Sequence, residues 1–216
     1  STTRISHTRQ FITLEDDPLK NRGCKGVFEK DIERYVLIPA HGRKQKQRMM
    51  NAWRQIMENE GKPPYITVFN PGMKKVVLAS GIAYSYVDEA VEYLGLRSEV
   101  TIVKINLPVP LPYKPIIEAL EDAEKAIVVE ELDPVVEMQV KKIAYDHGLD
   151  VEIHGKDLVP ENGELNTEIV YRSLASFNNS DPTPPWKPIE PVKTEPSIPS
   201  RPPILCSVCP HRNTFY

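Results

Sequence analysis

"KVVLASG" at residues 75–81 is followed by "YSYVDEAVEYLGL" at 84–96 and then by "VTIVKINL" at 100–107, and this succession decides the fold. A short β-branched run, a helical stretch and a second β-branched run form a strand–helix–strand unit, because parallel neighbours need a crossover and a helix supplies it. The rhythm continues with "KPIIEALED" (114–122), "KAIVVEE" (125–131), "DPVVEMQVKKIAYDHG" (133–148) and "DVEIHG" (150–155). Repetition of this kind predicts an α/β domain with a mostly parallel sheet flanked by helices. "VVLA" and "AIVVE" are nearly continuous apolar runs, as expected of strands covered on both faces. Gly81 closes the first strand and Gly148 follows the third helix, where chain reversal and helix termination favour glycine.

Outside this core the sequence is more varied. The chain has 216 residues, 40% hydrophobic and 26% charged, enough for one compact domain with an appendage or for two small domains. No run reaches the ~18 to 20 apolar residues that a membrane helix needs. The opening "STTRISHTRQF" lacks the apolar segment of a secretory signal. With only Cys24, Cys206 and Cys209, a disulfide scaffold is disfavoured and a cytoplasmic, reducing compartment is expected. A start at Ser1 and a finish on "NTFY" lead to the expectation of a piece of something longer.

Charge divides the sequence. Residues 1–62 carry 13 Lys and Arg against 8 Asp and Glu, and residues 63–216 carry 14 against 22. The basic excess centres on "HGRKQKQRMMNAWRQ" (41–55), with Arg43, Lys44, Lys46 and Arg48 in close succession. Ile38, Met49, Met50, Trp53, Ile56 and Met57 recur at roughly helical spacing, so these cations read as the wet face of an amphipathic helix. Pro39 sits near its start. No aromatic interleaving or nucleic-acid-binding motif accompanies the charge, so a nucleic-acid partner is not expected.

Nucleotide chemistry is also disfavoured. "LASGIAYSY" holds one glycine where a dinucleotide fingerprint needs three, and no phosphate loop of the GxxxxGK[ST] kind occurs. "VVEELDPVVEMQ" (128–139) places Glu130, Glu131, Asp133 and Glu137 at the carboxyl end of a predicted strand, where α/β sheets bind ligands. Paired carboxylates there are candidates for a metal or for acid–base work. Capping accounts for them more simply: Asp133 is a good N-cap, Pro134 suits the first helical position, and negative charge favours a helix N-terminus. His147 and His154 stand alone, and neither needs a ligand role.

Beyond residue 157, Asn162 and Gly163 mark a turn, and Asn166 or Thr167 caps one further short helix. Nine of the 21 prolines fall between Pro182 and Pro203, which predicts an extended tether. The chain closes on "RPPILCSVCPHRNTFY" (201–216). Cys206 and Cys209 have the spacing at which two thiolates grip Zn²⁺ or an iron–sulfur cluster. Taken alone they are half a site. A four-ligand zinc site with Cys24 and His211 is arithmetically possible, and a redox pair lacks the strand it would need before it.

The ordered set "RISHTRQF", "FEKDIERYVLIPAHGRK", "SGIAYSYVDEA", "LPVPLP", "VVEELDPVVEMQ", "GKDLVP", "GEL" and "RPPILCSVCPHRNTFY" resembles the thiamine-diphosphate-dependent 2-oxoacid:ferredoxin oxidoreductase family, on the side of the alpha subunits of its indolepyruvate branch. The likeness runs through the whole chain, and the last motif is its most specific part. It implies four regions: the trailing part of a pyrimidine-binding domain with a helical connector (1–63), a transketolase C-terminal-like α/β domain (64–180), a proline-rich linker (181–203), and the start of a diphosphate-binding domain (204–216). The implied reaction is oxidative decarboxylation of an aryl 2-oxoacid with coenzyme A, giving an acyl-CoA and CO₂ and passing electrons to ferredoxin. Thiamine diphosphate, Mg²⁺ and [4Fe-4S] clusters are the implied cofactors of the parent enzyme, and the cofactor carries most of the chemistry. By the same resemblance Cys206 and Cys209 are cluster ligands, and His211 and Arg212 face the cofactor or a carboxylate. The implied partners are a beta subunit, ferredoxin, coenzyme A and the aryl 2-oxoacid, within an oligomer.

One departure is Val208, where the family pattern has glycine; a β-branched residue resists the positive φ that glycine permits. The chain shows no GDG-type magnesium motif, no catalytic glutamate in a pyrimidine-binding context and no ferredoxin-like run of cysteines. The expectation is therefore an inactive piece of an enzyme that by itself holds none of these cofactors fully. The alternative is a freestanding α/β interaction module with a small Cys/His zinc site, and zinc against iron content separates the two.

Overall fold

A computed structural model describes residues 28–58 and 65–187, together with Phe11, Thr13 and Gly26. Cys24, Cys206, Cys209, His211 and Arg212 lie outside the described residues, as does most of the proline-rich segment. The chain divides into two units, residues 1–185 and 186–216.

Among the described residues of the first unit, a single helical turn, α1 (Ile32–Tyr35), is followed by a long helix, α2 (Pro39–Glu58). The α/β domain follows as β1 (Ile66–Phe69), β2 (Lys75–Ser80), α3 (Ala83–Tyr93), β3 (Val100–Ile105), α4 (Tyr113–Leu120), β4 (Lys125–Val129), α5 (Val135–Asp146), β5 (Glu152–His154) and α6 (Thr167–Phe177). The sheet order is β1-β3-β2-β4-β5. β2 pairs in parallel with β3 and β4, β5 pairs in parallel with β4, and β1 runs antiparallel along β3. The sequence reading of a mostly parallel sheet with flanking helices thus describes the fold. β1 was not anticipated. It is only four residues long and sits between Pro64 and Pro71, so its "ITVF" carries too short a period to read.

Alternation along the strands builds a core on each face. Val76, Leu78, Val103, Ile105 and Val128 join Ile116 and Leu120 of α4 and Val140 of α5 in one buried cluster. Val77, Ala79, Ile102, Ile127 and Val129, also buried, point to the opposite face, which α3 and α6 cover. Burying a side chain such as Leu78 is worth about 1.5–3 kcal/mol.

Helix ends follow local chemistry. Asn166 caps α6, its side-chain oxygen accepting from the Ile169 N–H at 2.9 Å. Gly148, at φ +64°, ends α5 as expected, and the next N–H, on Leu149, donates to the Ala144 carbonyl at 3.0 Å. The capping expected of Asp133 is corrected. α5 begins at Val135, and its first amides are held by the Glu130 carboxylate instead: Val136 N–H donates at 2.8 Å and Glu137 N–H at 2.8 Å.

The amphipathic helix read from the spacing of Met49, Met50, Trp53, Ile56 and Met57 is α2. The helix forms where the spacing places it, with Pro39 as its first residue, yet it buries no side chain among the described residues. Met49 is 50% exposed and Trp53 43%.

Candidate functional site

α/β sheets bind ligands at the carboxyl ends of strands, where neighbouring strands send their connections in opposite directions. Here that point lies between β2 and β4, since the chain leaves β2 toward β3 and leaves β4 toward β5 on the other side. A cleft of about 440 Å³ opens there. Ser80, Gly81 and Ile82 line one wall, and Glu130, Leu132 and Asp133 line the other. Gly81, at φ +57°, turns the chain out of β2, a conformation an L side chain resists. Leu132 holds a left-handed φ of +59° and folds the loop back toward the start of α5.

This loop is the acidic stretch picked out as a candidate site. Glu130 is 5% exposed, and both carboxylate oxygens accept from the first amides of α5. Negative charge at that position also complements the helix dipole. Glu131 accepts from the Leu165 N–H at 3.0 Å. Glu137 accepts from the Lys156 N–H at 2.9 Å and from the Lys141 ammonium at 2.6 Å. Asp133 is exposed at the rim. Three of the four carboxylates are thus engaged by the fold, as a structural reading expects, and a paired-carboxylate catalyst is not assembled.

A lysine closes the back of the loop. The Lys156 ammonium donates to the Glu130 carbonyl at 2.5 Å. Burial pushes its pKa down, and the nearby Glu130 and Glu137 carboxylates oppose that shift without cancelling it. Just before it, Gly155 permits a close approach: a Cβ there would stand 2.0 Å from a Glu137 carboxylate oxygen. Neither Lys156 nor Gly155 was singled out from sequence, although "GKDLVP" contains both.

His154 and His147 take structural places. His154 Nδ1 lies 2.6 Å from Asp157. The Asp157 carboxyl is raised by burial but held below its ordinary range overall by the Gly155 N–H and by His154. His147 Nδ1 lies 2.9 Å from the Ile143 carbonyl at the end of α5, in keeping with a helix-terminal histidine. Among the described residues no group of three or more His, Cys, Asp or Glu is arranged to hold a metal ion. These residues do not fit a cluster or a magnesium–diphosphate site.

No protein-family model matches the chain. Curated relatives do. The IorA subunit of indolepyruvate oxidoreductase from Pyrococcus abyssi is 38% identical over 222 residues, covering 100% of this chain and 34% of that subunit. The Thermococcus kodakarensis subunit has the same 38% identity and coverage, and that of Methanothermobacter thermautotrophicus is 33% identical over 220 residues. The chain is similar to these IorA subunits along its whole length. It spans about a third of the IorA subunits it matches. Two solved structures are also similar: an inactive β4 tetramer of a split-gene transketolase (TM-score 0.42, 16% identity, 53% of this chain and 41% of that one) and a 2-oxoglutarate:ferredoxin oxidoreductase from Magnetococcus marinus (TM-score 0.45, 14% identity, 64% and 23%). Likenesses this distant carry no argument, and the α/β assignment stands on the strand order itself. No helix among the described residues is long and apolar enough to cross a membrane.

Proposed function

We propose that this chain serves as one part of an indolepyruvate:ferredoxin oxidoreductase alpha subunit, in a cytoplasmic enzyme that oxidatively decarboxylates aryl 2-oxoacids to acyl-CoA. The observation that carries the reading is the 38% identity to an IorA subunit over the full chain. Within it, residues 64–180 are a transketolase C-terminal-like scaffold, residues 1–63 close a pyrimidine-binding domain, and residues 181–203 lead as a linker into a diphosphate-binding domain that opens at 204. The engagement of Glu130, Glu131 and Glu137 by backbone amides supports a scaffolding role.

The redox chemistry belongs to the other end of the chain. Cys206 and Cys209 are the proposed ligands of a [4Fe-4S] cluster, their thiolates suited to iron, with the remaining ligands supplied from outside this chain. His211 and Arg212 are proposed to orient the cofactor or a substrate carboxylate, Arg212 through the planar fork that matches carboxylate geometry. Thiamine diphosphate with Mg²⁺, when bound by the whole enzyme, supplies the carbon–carbon bond cleavage. A beta subunit, ferredoxin, coenzyme A and the aryl 2-oxoacid are the proposed partners.

The test is turnover. The purified 216-residue chain, given indolepyruvate, coenzyme A, thiamine diphosphate, Mg²⁺ and a ferredoxin, should reduce no ferredoxin. The same sequence within a subunit of IorA length, co-purified with its beta subunit, should reduce it. Turnover by the chain alone, or no turnover by the assembled enzyme with any aryl 2-oxoacid, contradicts the proposal.

A further inference from the structure

The connection from β3 to α4 is the proline-rich strap "LPVPLP" (107–112), and its Pro108 lines the cleft at the carboxyl ends of β2 and β4. Proline has no N–H, so Pro108, Pro110 and Pro112 cannot donate, and the strap cannot knit itself together as an ordinary turn would. Gln139 of α5 holds it from outside. Its Oε1 accepts from the Leu111 N–H at 3.1 Å, and its Nε2 donates to the Pro108 carbonyl at 2.8 Å and to the Val135 carbonyl at 3.0 Å. Only one orientation of the amide meets a donor and two acceptors together.

The two halves of the strap are held unequally. Pro110, Leu111 and Pro112 are buried, and Leu111 belongs to the core cluster that α4 covers. Before them, the Leu107 N–H donates to the Tyr65 carbonyl at 3.2 Å. Pro108 and Val109 span the gap between these anchors, with no burial to fix them. The two walls of the cleft are unequal in the same way. The acidic wall is pinned by ions: the Glu130 carboxylate accepts from the Val136 and Glu137 amides, and the Lys156 ammonium donates to the Glu130 carbonyl. Such charge-assisted bonds are about twice as strong as neutral ones. The proline wall depends on a neutral amide.

We propose that Pro108 and Val109 form a movable flap on the cleft and that the Gln139 side chain is its latch. The Oε1 contact with Leu111 orients the amide, and the Nε2 bond to the Pro108 carbonyl holds the flap closed. The cleft opens on its proline side and keeps its acidic side fixed. Gln139 acts through the strap and is therefore a positioning residue. The latch goes beyond the proposed enzymatic role and does not depend on it.

Backbone ¹⁵N relaxation of the full 216-residue chain tests this at Val109, whose N–H lies in the flap. In the wild type the Val109 order parameter should match that of β3, about 0.85, both near pH 7 and near pH 4. Gln139→Glu keeps the acceptor for Leu111 and, while ionised, loses the donor to Pro108. Its Val109 should fall below about 0.6 near pH 7. Near pH 4, past the ordinary glutamate pKa of about 4.3, the acid form offers an O–H to Pro108, and Val109 should return toward the wild-type value. Gln139→Met, which can neither donate nor accept strongly, should free Val109 at both pH values and leave Leu111 rigid. A wild-type Val109 already below about 0.6 overturns the latch, as does a Val109 that stays rigid in Gln139→Met, or mobility in Gln139→Glu that ignores pH. A wild-type flap that loosens near pH 4 also overturns it, since a titrating neighbour would then govern the strap, either His147, stacked on Tyr113 at 5.8 Å, or Asp133 at the rim. If Gln139→Glu loses its far-ultraviolet circular dichroism, Gln139→Met near pH 7 decides: a mobile Val109 beside a rigid Leu111 supports the latch, and equal rigidity contradicts it.

Discussion

Helices α2 and α4 both read from sequence as stretches with an apolar side, and the structure treats them in opposite ways. α4 buries Ile116, Ala119 and Leu120 in a cluster shared with four strands and α5, whereas α2 buries no side chain among the described residues. The difference teaches that apolar spacing establishes that a helix has a face and says nothing about what covers it. α4 is flanked by strands that bring a sheet to it. α2 precedes the sheet, and no strand pairing pulls its strip inward.

The sharpest way to break that contrast is to truncate both strips. Leu120→Ala should cost about 2–5 kcal/mol in chemical unfolding of the chain, since it removes buried methyl groups and leaves a cavity. Trp53→Ser should stay within about 0.5 kcal/mol, as surface changes do. Equal costs would place α2 in a core after all.

Next in size is the loop after β4. Glu130→Ala should destabilise the chain by about 2 kcal/mol, because two buried amides of α5 lose a charged acceptor. Asp133→Ala should change stability by less than about 0.5 kcal/mol. The reverse order would restore the capping role to Asp133. Gly155→Ala should cost about 1–3 kcal/mol, because its Cβ meets the Glu137 carboxylate, and Glu137→Ala should relieve most of that added cost in a double-mutant cycle.

The smallest effect is a pH dependence. Asp157 titrates below its ordinary value of 3.8 in the folded chain. A depressed carboxylate contributes stability that is present above the unfolded pKa and is lost as pH falls through the folded one. Chain stability should therefore decline as acid is added below 3.8, and Asp157→Asn should make that decline shallower. An unchanged slope would mean that the Gly155 and His154 contacts do not favour the ionised form.

These cases also mark how far the sequence carries. The parallel strands were legible because "VVLA" and "AIVVE" are dense β-branched runs separated by helical stretches. Strand β1 was hidden by its brevity, as its order depends on pairing with β3 and not on its own pattern. The chemistry of capping at α5 was legible, but the residue was not. Glu130 precedes the helix by five positions and reaches it only because Leu132 turns the loop through a left-handed conformation. Lys156 and Gly155 escaped notice because their roles arise from an approach between β5 and α5 that no local spacing encodes.

The same separation of structural from chemical residues applies to the two stretches that first looked able to hold a metal. The acidic loop holds Glu130, Glu131 and Glu137 on backbone amides, and the proposed metal ligands are Cys206 and Cys209. Iron and acid-labile sulfide analysis of an anaerobically purified subunit of IorA length tests this most directly. Asp133→Asn should retain the wild-type iron and sulfide, and Cys206→Ser should lose the content of one cluster. Retention of that cluster in Cys206→Ser, or stoichiometric zinc in place of iron in the wild type, would contradict the account.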